Sequence, residues 1–228
     1  MLESLGSVLA YTLIPCLGIV AGSAFAVVWS PAARLISAFQ HFAAGVVFAA
    51  VAVELLPQLH ILDSPISMVI GFTLGLAAML TCKALFESAG IIVPMTVDLF
   101  IDGFLVAVGF AAGAKGGIIL LIGLTLETLS LGLSTAPALV RRGMAGLRTV
   151  WVMGATGLVI LFGAAAGHIA VGVSGDFLAG ILGFGVAALL YLVTEELLAE
   201  AHKVPDTPIV TATFFAGFLV PIVIAAID

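Results

Sequence analysis

Eight apolar runs, each long enough to cross a bilayer, follow one another with only short polar breaks between them. A helix needs about 20 apolar residues to traverse the hydrocarbon core, so eight of them leave room in 228 residues for connections and little else. With 63% hydrophobic and 9% charged residues, a water-soluble domain is excluded, because so few polar side chains cannot cover a solvated surface. The runs predict helices over 5–29, 35–59, 65–88, 91–113, 117–139, 148–173, 176–200 and 207–227. Gly, Pro, Ser and Asp mark the breaks, at Ser30 and Pro31, Asp63 to Pro65, Ser88 to Gly90, Gly113 to Gly117, Ser174 to Asp176 and Pro205 to Pro208. The expected fold is an all-α integral membrane protein, a single transmembrane domain over 1–228.

Orientation follows from the basic residues, which collect on the cytoplasmic side of short loops. With the N-terminus outside, the inner side receives Arg34, Lys83, Arg141, Arg142, Arg148 and Lys203, and the outer side only Lys115. Both termini are therefore expected outside the cytoplasm. The first run also fits a signal peptide, with Ala24 to Ala26 as its cleavage site, but no basic segment precedes it, and it is read as a membrane helix. Cys16 and Cys82 lie in separate runs without a CxxC partner, which points to packing residues rather than a disulfide or a thiolate cage. No catalytic nucleophile, nucleotide loop or nucleic-acid surface is visible, so an enzyme is not expected.

An internal repeat organises the runs. Val53 to His60 (VELLPQLH) followed by Asp63 to Ile66 (DSPI) has a counterpart in Glu195 to His202 (EELLAEAH) followed by Asp206 to Ile209 (DTPI), at offsets of 142 and 143 residues. ELL is a common helix-end tripeptide, yet two matches in the same order at nearly one offset argue against coincidence. The second and seventh helices run in opposite directions through the membrane, so the copies are inverted, as in many secondary transporters whose sites lie near the midplane. That gives a 3+2+3 arrangement with the fourth and fifth helices as the central pair. Gly103 and Gly132, each five residues after an acid, are expected to let this pair approach closely.

Those acids carry the chemistry. Asp98 and Asp102 stand one turn apart on one helix face, and each costs about 2.5–3.5 kcal/mol at a bilayer centre. Glu127 lies in the middle of the next run, flanked by Thr125, Thr128 and Ser130, at a depth that antiparallel helices bring close to Asp102. Clustered carboxylates repel one another unless a cation binds or protons are shared, and no Lys or Arg occupies the middle of a run to balance them. Oxygen ligation favours hard or borderline divalent ions such as Mg²⁺ and Mn²⁺, with Fe²⁺ tolerated.

At these residues the sequence resembles the ZIP family of divalent metal transporters, most of all its compact bacterial members. The likeness covers nearly the whole chain, with residues 45–57 (GVVFAAVAVELLP) similar to the family's second helix and 185–202 (GVAALLYLVTEELLAEAH) to its seventh. The family's fourth-helix motif, of the type His-Asn-x-Pro-Glu-Gly, places its two metal-binding positions on Asp98 and Asp102 and its glycine on Gly103. The fifth-helix motif places its first position on Glu127 and its glycine on Gly132. Other ligand positions hold Leu99, Thr128 and Leu131, and Ile101 and Ser130 replace the two prolines. The resemblance thus implies one site, built from Asp98, Asp102 and Glu127 with water or Thr128, and a less favourable place for Zn²⁺ than in typical members. It also implies a bacterial inner membrane and a divalent ion (Mn, Fe, Zn or similar) as transported substrate, with no permanently bound cofactor. The partners it implies are the ion and the lipid, with a homodimer compatible.

Glu195 and Glu196 with His202 form a candidate exit relay, and Glu54, their repeat counterpart, a candidate entrance residue. His41, His60 and His168 near run ends read as interfacial, Lys83 and Glu87 as a local ion pair, and Met95 as packing or lipid-facing. The expected function is divalent-cation transport toward the cytoplasm by alternating access. The alternatives are a proton-coupled solute carrier using the acids as a relay, and a non-transporting relative.

Overall fold

The computed structural model describes residues 4–29, 31–86, 90–172, 175–205 and 207–226, and the described residues form helices and the short turns between them, with no strand. The expectations placed on Ser30, Glu87, Ser88, Ser174 and Asp206 lie outside the described residues. In chain order the helices are α1 (Leu5–Val28), α2 (Ala33–Leu62), α3 (Pro65–Phe86), α4 (Ile92–Ala112), α5 (Ala114–Arg141), α6 (Gly146–Val171), α7 (Asp176–Ala201) and α8 (Pro208–Ala226). Seven of them, α1 to α7, are long and apolar enough to cross a bilayer, while the apolar stretch of α8, Pro208–Ile224, is shorter. The chain is an integral membrane protein. Leu17, Val28, Ile66, Leu85, Trp151 and Phe162 stand exposed on its outside, where lipid rather than water is the solvent.

Local chemistry moves some boundaries from those predicted. The break expected over Gly113 to Gly117 shrinks to Gly113, whose φ of 149° suits glycine and makes the turn alone. Asp63, at φ 46°, ends α2 in the left-handed region, which Asp tolerates better than most residues.

Without a hydrophobic drive between helices in lipid, association depends on close packing of small residues. Four pairs pack most tightly: α1 with α5, α4 with α6, α2 with α8, and α3 with α7. Reciprocal glycines lock each one. A methyl added at Gly103 would lie 1.9 Å from the Ile160 carbonyl oxygen of α6, and one at Gly163 1.9 Å from that of Phe100. In the α1–α5 pair, Gly132 meets Ile19 O at 2.5 Å and Gly22 meets Leu129 O at 2.2 Å by the same measure. Gly45 and Gly217 join α2 to α8, and Gly71 and Gly183 join α3 to α7, in the same way. Exchanging α1 with α6, α2 with α7, α3 with α8 and α4 with α5 carries each pair onto another. The expectation for Gly103 and Gly132 needs correcting: they hold α4 to α6 and α5 to α1 rather than α4 to α5, because they point off the acid-bearing face.

Both α2 and α7 contain a π-helical turn, at Val51–Leu55 and Leu192–Leu197. Leu56 N–H bonds Val51 O and Leu198 N–H bonds Val193 O, five residues back in each case. Pro57, with no N–H to offer, follows the first turn, but Ala199 holds its place in α7. No residue in α7 accounts for the second turn.

Candidate metal centre

Gly113 folds α5 back along α4 with a one-residue turn, so residues at equal distance from it come level. Glu127, fourteen residues after Gly113, falls between Asp98 and Asp102, fifteen and eleven residues before it. Their side chains do meet, with one carboxylate oxygen from each lying within 4.8 Å of the others. Asp102 is 2% and Glu127 4% exposed, and Asp98 is half-buried. Neither oxygen of Asp102 has a hydrogen-bond partner, nor do Asp98 Oδ1 and Glu127 Oε2. Buried carboxylate oxygens without partners are costly, and a divalent cation would satisfy all three groups at once.

A fourth carboxylate arrives from the other side. The π-turn of α7 presents Glu196, which lines the same cavity as Asp98 and stands within interaction range of it. Its neighbour Glu195 turns away, half exposed, to an ion pair with Lys83 Nζ at 3.3 Å. Lys83 therefore reaches across from α3 to α7, while Glu87, the partner expected from i, i+4 spacing, lies outside the described residues.

Asp98, Glu127 and Glu196 line a cavity of about 600 Å³. Its walls include Phe86 at the end of α3, Ile91 before α4, Ala138 near the end of α5, and Glu200 and Lys203 at the end of α7. It therefore opens at the end of the bundle where these termini gather. Glu200 and Lys203 form an ion pair at the mouth. Asp102 does not line the cavity and sits behind the other acids.

Thr128 Oγ1 donates to the carbonyls of Pro15 and Thr125, at 3.0 and 3.1 Å, so its hydroxyl serves the α1–α5 contact. His202 does not line the cavity and packs edge-on against His41, ring centroids 5.1 Å apart. His41 is 2% exposed with Nδ1 bonded to Ser37 O at 2.9 Å, so it is a buried residue and not an interfacial one. His60 is exposed and His168 half-buried. Glu54 is half-buried at the far end of α2, beside Gly116 and within electrostatic reach of Lys115. Cys16 packs in the core, whereas Cys82 and Met95 face the cavity. Ser130, expected only as a flank of Glu127 and as a replacement for a motif proline, belongs to the site as well. Its hydroxyl is buried, unpartnered and on the cavity wall one turn from Glu127, and that i, i+3 spacing was the available signal.

No protein-family model matches the chain, and no curated protein matches it.

Proposed function

We propose that this chain is an eight-helix, ZIP-like transporter that carries a divalent cation toward the cytoplasm by alternating access. The observation that carries the reading is the convergence of Asp98, Asp102 and Glu127 within 4.8 Å, with both Asp102 oxygens buried and unpartnered. An isolated buried acid has packing explanations. Three from two helices, joined by Glu196 from a third, make a hard-cation site of carboxylate oxygens. The reciprocal pairing of helices supports an inverted 3+2+3 arrangement, in which α1, α4, α5 and α6 carry the site past α2, α3, α7 and α8. The cavity opens at the end that holds Lys83, Arg141 and Lys203, and the positive-inside rule makes that end cytoplasmic, with both termini outside.

Uptake of Mn²⁺, Fe²⁺, Zn²⁺, Cd²⁺, Co²⁺ and Mg²⁺ into proteoliposomes tests the proposal. Asp102→Ala and Glu127→Ala should abolish uptake while the protein stays monodisperse; undiminished uptake in both would sink it. The cavity volume of about 600 Å³ also admits a small solute moved with protons. In that case solute flux, and not ion flux, depends on the acids.

A further inference from the structure

Corresponding helices of the two halves stand in different states. The offset of 142 that sets Glu195–His202 on Val53–His60 places Glu196 on Glu54, and both acids sit in π-helical turns. Between α4 and α5 the glycine contacts define a second correspondence, Gly103 with Gly132 and Phe100 with Leu129, an offset of 29 residues that sets Asp98 on Glu127. Glu196 and Asp98 face each other into one cavity at the α7–α4 seam. The counterpart across the α2–α5 seam, Glu54 with Glu127, is not made.

That second seam is shut. A methyl at Gly123 would lie 2.8 Å from Val47 Cγ2, and one at Gly116 3.1 Å from Glu54 Cβ. Pro94, which corresponds to Gly123 on α4, faces the cavity instead. Glu54 lies level with Gly116, eleven residues before Glu127 on α5, or ~16 Å along the helix at about 1.5 Å per residue.

We infer that Glu54 is the outer counterpart of Glu196: when the α2–α5 seam opens and the α7–α4 seam shuts, Glu54 meets Glu127 and joins the carboxylates that hold a divalent cation on that side. The identity of the cargo rests on the transport reading, but the contact itself is measured without any ion. The two therefore fail separately.

The test uses full-length protein with Cys16→Ala and Cys82→Ser, in membranes, carrying Glu54→Cys and Glu127→Cys. Oxidation with copper phenanthroline should block both thiols from a maleimide reagent, and a reductant should restore labelling. Glu54→Cys with Gly116→Cys, already adjacent, is the positive control, since close Cβ atoms suit a disulfide. Free thiols in the first pair beside linked thiols in the control would overturn the inference. Because loss of Glu127 could impair folding, a second measurement leaves the acids in place: spin labels on Ile61→Cys and Arg142→Cys, both exposed. It should give a second distance shorter by roughly 15 Å, three helical turns, and a single unmoved distance would contradict it. Where wild-type protein takes up no ion but the thiols link, the transport reading falls and the contact stands.

Discussion

At the scale of single residues, the structure separates neighbours that the sequence presents as equivalent. Glu195 and Glu196 are adjacent, yet one pairs with Lys83 at the mouth of the cavity and the other stands beside Asp98 at the site. Glu196→Gln is therefore expected to weaken equilibrium Mn²⁺ binding about tenfold, near 1.4 kcal/mol, while Glu195→Gln leaves it within about twofold, as an exposed ion pair contributes little. Isothermal titration on purified protein checks both. The cluster of Asp98, Asp102 and Glu127 was legible in the sequence because charged residues in apolar runs are conspicuous and i, i+4 spacing fixes a helix face. The placements of Glu196, Thr128 and His41 were not. Each depends on which helix lies opposite, and helical spacing carries no such information.

At the scale of helices, tight packing gives each seam its own sensitivity. Gly103→Ala places a methyl against the Ile160 carbonyl. It should cost about 1–3 kcal/mol or more, as overpacking does, and lower the melting temperature in detergent. Gly143, whose added methyl would meet nothing within 4 Å but whose φ is 93°, should cost only the left-handed backbone penalty on Gly143→Ala, about 1–2 kcal/mol. In the shut seam, Val47→Cys with Gly123→Cys should form a disulfide that stops uptake, with recovery after reduction; continued uptake by the oxidised protein would show that this seam need not open. The existence and order of the helices could be read from the apolar runs. The π-turns could not: both fall on a repeated Val-x-x-Glu-Leu segment, 51–55 and 193–197, but that pattern suits an ordinary α-helix equally well, and Pro57 follows only the first. Gly103 and Gly132 differ from expectation for a related reason: a small residue announces a close approach without naming the partner.

For the whole molecule, four tightly packed helix pairs surround a carboxylate cluster, with the α2–α5 seam closely packed and the α4–α7 side open to a cavity. The tight pairs exchange within two sets, α1 with α5 for α6 with α4 and α2 with α8 for α7 with α3, a symmetry of packing that runs parallel to the two short sequence matches. Cysteines introduced at Ser4 and at Arg142 report the orientation: an impermeant maleimide added to whole cells should label the first and spare the second, and the reverse pattern would invert the proposed direction of access. The most direct test of the central claim is the position of the ion itself. Crystals grown with Mn²⁺ should show one anomalous scattering peak among the carboxylate oxygens of Asp98, Asp102 and Glu127, absent in Glu127→Gln. Saturating Mn²⁺ with no peak between those three side chains would contradict the account.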